Sequence, residues 1–164
     1  MMASTVTFRP VEEKDAGFLS KVYASTRYEE LQATGWPQQQ IDEFLRMQFE
    51  AQDTFYKQQF PDAQYQVVQY EGQDVGRLYL DLREDEVRIV DIALLPEYRG
   101  KGLGTQLLNS IIQDAGQKQL SVRIHVEKNN SALNLYLRLG FKKTDDKGVY
   151  WLMEKPAQQK CCAG

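Results

Sequence analysis

The chain has 164 residues, of which 42% are hydrophobic, so it is long enough to bury one hydrophobic core and short for two full domains. Its 23 acidic and 20 basic residues give a formal charge of -3, which offers no broad attraction to nucleic acid or to anionic lipid. No run approaches the length of about 20 apolar residues that a membrane helix needs, and Met1–Ser4 lacks the pattern of an export signal, so we expect a cytoplasmic protein.

We expect a single domain over residues 1–156, followed by a disordered polar tail at residues 157–164. The only two cysteines, Cys161 and Cys162, are adjacent in this tail, where neither can link distant segments. They are interpreted as reduced, solvent-facing thiols. Because no other ligand-type residues cluster near them, the sequence predicts no metal site.

The spacing of apolar residues in the first third of the chain predicts one strand and two helices. Val6–Arg9 has the character of a short strand that ends at Pro10. Apolar residues then recur at helical spacing over Phe18–Tyr23. A break follows, and Pro37 is well placed as the first residue of a second amphipathic helix marked by Ile41–Phe49.

The next segment has the two-residue period of strands. We predict three consecutive antiparallel strands at Tyr65–Tyr70, Val75–Leu82 and Val87–Leu95, separated by polar turns at residues 71–74 and 83–86. The centre of the third strand is nearly all apolar, which predicts that both of its faces are covered.

The last part of the chain alternates between helices and strands. A helical stripe runs from Leu103 to Ala115 and ends near Gly116, and a strand follows at Val122–Val126. A second helix over residues 132–139 ends at Gly140, and a final strand at Val149–Glu154 follows a polar turn at residues 145–148. With one further short strand between that helix and the polar turn, the predicted order is β-α-α-β-β-β-α-β-α-β-β.

A glycine-rich loop, Arg99–Gly104, lies between a predicted buried strand and a long helix. Exposed amides and the helix dipole converge on an anion at such a place, so a phosphate group fits there. Glycines would let ligand oxygens approach closely, while Arg99 and Lys101 add positive charge. Equally, the glycines could do no more than allow a tight turn.

The spacing in this loop does not match two common nucleotide-binding motifs. In the P-loop the lysine follows the second glycine, whereas here Lys101 precedes Gly102. The dinucleotide fingerprint is suggested by Glu127 at the end of the next strand, but it needs a third glycine where Thr105 stands. The chain is also too short to complete a doubly wound sheet.

Two motifs together resemble the GNAT superfamily of N-acetyltransferases. Leu94–Gly104 resembles its acetyl-CoA motif, Arg/Gln-x-x-Gly-x-Gly/Ala, and matches at the arginine and both glycines. Asn129–Tyr136, followed by Leu139–Phe141, resembles its second motif. The resemblance covers residues 75–154 by motif and the whole chain by element order. It implies a mixed α/β fold with a mostly antiparallel sheet of about seven strands, four helices and an acetyl-CoA-dependent transferase activity.

The same resemblance implies a set of cofactor-binding residues. The pantetheine arm of acetyl-CoA would lie along the strand backbone before the loop, and the pyrophosphate on the loop amides. The Asn129 side chain would hold the cofactor near its arm. The implied backbone positions are Ile92, Ala93, Leu94, Arg99, Gly100, Lys101, Gly102, Leu103, Gly104 and Thr105.

Direct acetyl transfer needs an oxyanion donor, an acid for the thiolate and a base for the amine. Strand amides near Leu94 could supply the first, because the sheet is expected to splay there. The resemblance makes Tyr136 the acid, although its position on an apolar helix face equally suits a core aromatic.

The base has three candidate side chains, and a water chain is the alternative to them. His125, the only histidine, lies close to where some ribosomal-protein acetyltransferases of the superfamily carry a catalytic glutamate, and strand alternation sets it opposite Ile124 and Val126. Asp81 and Asp91 each interrupt an apolar strand, which suits a catalytic carboxylate or a salt bridge. Arg88 occupies the place of the glutamate of histone-type relatives, so that version of the mechanism does not apply.

The acceptor is left open by the sequence. The superfamily's acceptor site comes largely from the helices after the first strand, here about Tyr28–Tyr56, and a small-molecule amine or a protein N-terminus would suit it. A noncatalytic acyl-CoA-binding module and a nucleotide-binding regulatory domain are the alternative functions. Some relatives form homodimers by pairing strands, and a homodimer is possible here.

Overall fold

The computed structural model describes residues 5–157. Nearly all of the predicted polar tail, including both cysteines, lies outside the described residues. Within residues 5–157 no helix is long and apolar enough to cross a membrane. The contacts define two compact units: residues up to Tyr79 together with Asp91–Lys101, and Leu80–Val90 together with the residues from Gly102 onward. The single domain over residues 1–156 stays a prediction.

The structure has the predicted order of helices and strands. Two single-turn 3-10 helices, at Glu13–Asp15 and Pro96–Tyr98, are the additions to it. The elements are β1 (Val6–Pro10), α1 (Ala16–Gln32), α2 (Gln38–Gln59), β2 (Gln64–Tyr70), β3 (Gln73–Leu82), β4 (Glu86–Leu94), α3 (Leu103–Gln117), β5 (Ser121–Glu127), α4 (Leu133–Arg138), β6 (Lys142–Asp146) and β7 (Tyr150–Lys155).

The seven strands form one sheet in the order β1-β2-β3-β4-β5-β7-β6. β4 and β5 are parallel, as expected for strands joined through the crossover helix α3. β1 pairs antiparallel with β2, and β7 pairs antiparallel with both β5 and β6. The predicted α/β fold with a mostly antiparallel sheet is therefore confirmed.

The first unit has a hydrophobic cluster formed by α1 and α2. Its buried members recur four residues apart, which places them on one face of each helix: Leu19, Tyr23, Ile41, Leu45 and Phe49. The chain before α1 is fixed by Arg9, whose guanidinium donates to Asp15 at 2.9 and 2.8 Å and to Asp74 at 3.0 Å. The hydrogen bonds from Arg9 lower the pKa of Asp15 to about 2.

The second unit is built around α3 and β5. The predicted helical stripe is confirmed, because five apolar residues of α3 are buried. β5 alternates between buried apolar residues and residues of its other face, as its sequence predicts. The buried residues of these two elements are Leu103, Leu107, Leu108, Ile111, Ala115, Val122, Ile124 and Val126.

Some element ends differ from the predictions. Pro37 is not the first residue of α2 but the residue before it: its ψ of 148° is extended, and its carbonyl accepts the first helical hydrogen bond from Ile41 at 3.1 Å. The turn after β2 contains only Glu71 and Gly72, since β3 already begins at Gln73. Asp145 and Asp146 belong to β6, so the predicted turn there is also shorter.

Gly76 allows β3 to approach the β4 backbone closely. A Cβ at this position would lie 2.2 Å from the Ala93 carbonyl oxygen and 3.1 Å from the Leu94 Cα atom. These are backbone atoms, so a side-chain rotation cannot remove the overlap. The close contact therefore requires glycine in the middle of this strand.

We predict that Gly76→Ala lowers the free energy of unfolding by at least about 1–3 kcal/mol, because the added methyl group must push two strands apart. Urea denaturation of the purified variant measures this loss. Gly17→Ala is the matched control: Gly17 is in α1 and has nothing within 4 Å of its Cβ position. The control is expected to be neutral or up to about 1 kcal/mol more stable. Equal stability of both variants would contradict the packing argument.

Candidate active site

The glycine loop begins in the first unit, directly after β4. The 3-10 helix Pro96–Tyr98 turns the chain, and the Arg99 Nε atom donates to the Leu94 carbonyl at 3.0 Å. Gly100 has a φ of 73°, a region that favours glycine. The Lys101 Nζ atom lies 5.6 Å from the centre of the Tyr98 ring. Arg99 thus holds the loop to the end of β4 rather than standing free at its rim.

The loop ends in the second unit, at the start of α3. Gly102 precedes the helix with a φ of 79°. Since glycine has no side chain, the helix has no side-chain cap at this position. The Gly102 carbonyl accepts the first helical hydrogen bond, from Gln106 at 3.1 Å. The uncapped amides of the first turn lie at the positive end of a 15-residue helix. This arrangement can bind an anion such as a phosphate.

The protein leaves room at the two glycines of this turn. A Cβ at Gly100 or at Gly102 would meet nothing within 4 Å, so space beside the loop backbone is open. At Gly104, inside α3, a Cβ would meet Leu135 of α4 at 3.5 Å, an ordinary contact. The helix that carries Tyr136 therefore packs beside the first turn of α3.

The strand before the loop has backbone that is not fully used by the parallel ladder. β4 pairs with β5 from Glu86 opposite Ser121 to Ile89 opposite Ile124, which covers four of the nine residues of β4. Ile92, Ala93 and Leu94 follow this stretch and are half-buried. The sequence predicted that both faces of this strand are buried, and at the C-terminal end of β4 this burial is only partial. The roles of these three residues in binding stay predictions.

Tyr136 is buried in the second unit. Its ring is 5% exposed and packs edge-on against Phe141, with 5.5 Å between the ring centres. The amide of Phe141 donates to the Tyr136 carbonyl at 3.0 Å. The ring is thus a core aromatic, which was the alternative interpretation of the sequence. A core ring is compatible with a hydroxyl that serves as an acid, and that role stays a prediction.

The two asparagines before α4 have different positions. The Asn130 side chain accepts a hydrogen bond from the Ala132 amide at 2.7 Å and so shapes the turn into α4. Asn129 is exposed. The hydrogen bond that shapes this turn is thus made by Asn130 and not by Asn129. The predicted contact of the Asn129 side chain with a cofactor stays a prediction.

His125 is on the exposed face of β5, opposite the buried side chains of Ile124 and Val126, as strand alternation predicts. Burial of part of the ring lowers the pKa of His125, and the charges of Arg88 and Lys147 lower it further. Glu86 acts in the opposite direction. A lowered pKa leaves the imidazole neutral near neutral pH, the form that accepts a proton.

Both carboxylates that compete with His125 for the role of base are in salt bridges. Asp91 pairs with Arg77 of the neighbouring strand at 2.8 Å, and Asp81 pairs with Arg83 of the following turn at 3.0 Å. The salt-bridge interpretation of both residues is confirmed.

Arg77 is a buried residue that the sequence interpretation did not single out. It is 2% exposed, and its guanidinium donates to Asp91 and, at 2.9 Å, to the Gln52 side chain of α2. The Tyr56 hydroxyl donates to the same Asp91 carboxylate at 2.8 Å. Tyr79 lies beside the guanidinium, and burial raises the pKa of Tyr79 to about 12. The sequence did contain a signal for this burial, because Arg77 is a single arginine among the apolar residues of a strand.

No group of three or more histidine, cysteine, aspartate or glutamate residues within residues 5–157 is arranged to hold a metal ion.

Comparison with known proteins assigns the family. The model of the acetyltransferase (GNAT) family matches residues 26–141, which include the whole loop and both sequence motifs. The chain belongs to the GNAT family. The GNAT resemblance of the sequence is therefore confirmed, and the family is one of acetyltransferases.

Two curated relatives of this GNAT protein act, by their names, on ribosomal protein bS18. One is a provisionally named [ribosomal protein bS18]-alanine N-acetyltransferase of Bacillus subtilis (strain 168), 33% identical over 97 residues, which are 55% of this chain and 62% of the relative. The other is the [ribosomal protein bS18]-alanine N-acetyltransferase of Haemophilus influenzae, 35% identical over 68 residues, which are 41% of this chain and 47% of the relative. The chain thus spans less than two thirds of either relative.

A solved GNAT structure shares the fold along nearly the whole chain. It is the PaiA N-acetyltransferase of Thermoplasma acidophilum in complex with coenzyme A, with a TM-score of 0.69 and 21% identity, covering 93% of this chain and 99% of that one. At this identity the likeness shows the fold.

We predict that Arg77→Met lowers the free energy of unfolding by about 3–5 kcal/mol, because it leaves the Asp91 carboxylate buried without its counterion. Lys57→Met is the matched control, since Lys57 pairs with Asp53 at 2.8 Å on the exposed face of α2. Its loss is expected to stay within about 1 kcal/mol. Urea denaturation compares the two, and Arg77→Met with Asp91→Leu should recover part of the loss. Similar losses from both single variants would contradict the assignment.

Proposed function

We propose that this protein transfers the acetyl group of acetyl-CoA directly to a primary amine while both substrates are bound. The observation that carries the proposal is the start of α3: an uncapped helix N-terminus behind two glycines with φ of 73° and 79°, directly after β4. Open space beside Gly102, at the start of α3, fits a cradle for a pyrophosphate. The match to the acetyltransferase family supports acyl transfer as the chemistry for which this cradle would be used.

The proposed cofactor contacts are made by backbone more than by side chains. In the first unit these are the strand residues Ile92–Leu94 and the loop residues Arg99–Lys101. In the second unit they are Gly102–Thr105 and the side chain of Asn129. The thioester of acetyl-CoA supplies an activated acetyl group when it is bound. Backbone amides near Leu94 would polarise its carbonyl.

The proposed proton transfers use two side chains of the second unit. As the amine nitrogen bonds to the acetyl carbon and the carbon–sulfur bond breaks, His125 accepts the proton that the amine loses. Tyr136 donates its phenolic proton to the departing sulfur, whose charge is thereby neutralised. Neutral His125 suits this role, because the lowered pKa of its side chain keeps it unprotonated near neutral pH.

The first acceptor to test is a peptide amine. The two curated relatives are named for an alanine of ribosomal protein bS18, which supports a protein amine over a small-molecule amine. A peptide that begins with alanine and a panel of small amines together cover both classes. The identity of the acceptor is read from which of these gains an acetyl group by mass spectrometry.

We predict that Gly102→Val weakens acetyl-CoA binding about tenfold or more, since a β-branched residue is strained at this φ and the first turn of α3 must shift. Gly116→Ala is the matched control on the same helix, because Gly116 has no positive φ and nothing within 4 Å of its Cβ position. Isothermal titration calorimetry with acetyl-CoA measures both. Undiminished binding by Gly102→Val, or no binding by the unmodified protein, would overturn the proposed cofactor site.

We predict that Tyr136→Phe lowers kcat about 100-fold with little change in KM for acetyl-CoA, because it removes a proton donor and keeps the ring that packs on Phe141. The measurement is CoA release with the best amine of the panel. Leu137→Ala serves as the control, since the Leu137 side chain is exposed. An unchanged kcat would remove Tyr136 as the acid. Acetyl-CoA binding without acetylation of any amine would instead support a noncatalytic acyl-CoA-binding module.

A further inference from the structure

A buried carboxylate in the second unit is shared by three arginines and has no part in the mechanism above. Glu86, at the start of β4, has a side chain that is 5% exposed. Its oxygens lie 3.3 Å from Arg83 Nη1, 3.3 Å from Arg88 Nε and 3.5 Å from Arg123 Nη1. One buried carboxylate thus holds three guanidinium groups close together.

The three arginines differ in how fully their charges are balanced. Arg83 has a second carboxylate, Asp81, at 3.0 Å, and Arg123 has Glu154 at 3.3 Å. Arg88 donates to Glu86 through two nitrogens, each at 3.3 Å. Within the described residues Arg88 therefore has one carboxylate partner, Glu86, which it shares, whereas Arg83 and Arg123 have two each.

The strand register places Arg88 close to His125. Arg88 of β4 is directly opposite Arg123 of β5 in the parallel ladder, and directly opposed residues point to the same face of a sheet. His125 follows Arg123 by two residues, so it points to that same face. Neighbouring strands are about 4.8 Å apart. The Arg88 cation and the histidine therefore lie on adjacent strands and on the same face of the sheet, two residues apart in register.

We propose that Arg88, anchored by the buried Glu86, is a positioning residue that keeps the His125 imidazole in its uncharged, proton-accepting form. The inference rests on the role of His125 as the base in the proposed function. A second positive charge beside a guanidinium costs electrostatic free energy, so the cation opposes protonation of the ring. Glu86 holds the guanidinium in place while, being shared, it cancels only part of this effect.

Several other charged groups are on the elements around His125. Lys147, in the turn before β7, acts in the same direction as Arg88 on the pKa of His125, and Glu86 acts in the opposite direction. The titratable and charged groups on these elements are Glu86, Arg88 and Asp91 of β4, Arg123 and Glu127 of β5, Lys147 of the turn, and Tyr150, Glu154 and Lys155 of β7. Of the cations just named on these elements, Arg88 is the one that donates two hydrogen bonds to the buried carboxylate of Glu86.

The sign of the expected effect follows directly. Loss of the Arg88 charge makes protonation of His125 easier, so the pKa of His125 rises and the ring stays charged up to a higher pH. If His125 is the base, the acid limb of the pH profile of kcat/KM moves to higher pH by the same amount. Below this limb the variant is slower than the unmodified enzyme, and above it the two converge.

The chain offers a direct measurement, because His125 is its only histidine. Its imidazole signals in a proton–nitrogen or proton–carbon NMR titration need no assignment by mutation. The variants are Arg88→Gln, Arg88→Met and Arg88→Lys, with Arg83→Gln as the matched control. Arg83→Gln removes one guanidinium from the same carboxylate, but Arg83 is at the turn, away from His125 along the strands. Arg88→Met keeps the aliphatic stem in case Arg88→Gln does not fold.

We expect an upward shift of the pKa of His125 in Arg88→Gln and Arg88→Met, and values near that of the unmodified protein in Arg88→Lys and Arg83→Gln. An unchanged or lowered value in the two neutral variants, or an equal rise in Arg83→Gln, would overturn the proposal. The kinetic profile is read separately. If the NMR value rises and the kcat/KM limb does not follow, Arg88 controls His125 as proposed and the base assignment in the proposed function is wrong.

Discussion

The Arg77–Asp91 ion pair is the interaction on which the first unit depends most. Removing a guanidinium from water is costly, and the cost is offset only where the charge finds a carboxylate and further hydrogen-bond partners. Here the partners come from three elements: Arg77 from β3, Asp91 from β4, and Gln52 with Tyr56 from α2. The pair therefore fixes the position of α2 on these strands, immediately before the backbone of Ile92–Leu94 that is proposed to bind the cofactor.

Most of the fold could be predicted because its apolar residues follow one period at a time. The stripe of α3 and the alternation of β5 are each consistent along their length, so element type and order follow from the sequence. Element ends are less well determined. Pro37 has the φ of a helical residue, and only its extended ψ, which depends on the chain before it, places it outside α2.

The candidate site shows a similar division. The glycine loop could be located because a left-handed turn before a helix needs particular residues at a particular spacing. The salt bridges of Asp81 and Asp91 could be anticipated only as one option, because a sequence does not show which cation is opposite a carboxylate. The burial of Arg77 and Glu86 was not predicted. Arg77 depends on partners 14 or more residues away. Glu86 depends on two neighbouring arginines and on the distant Arg123.

The backbone of Gly100 and Gly102 gives the loop a chirality requirement that is separate from size. Both residues have φ near +75°, yet a methyl group at either would touch no other protein atom within 4 Å. An L-residue is disfavoured there by its handedness, at a cost of roughly 1–2 kcal/mol, whereas its mirror image prefers that same φ. D-alanine introduced at either position by chemical ligation would therefore suit the loop, while L-alanine of identical volume would strain it. Each position is, in stereochemical language, a D-configured site within an L-chain, and glycine is the genetically encoded residue that occupies it with the least strain.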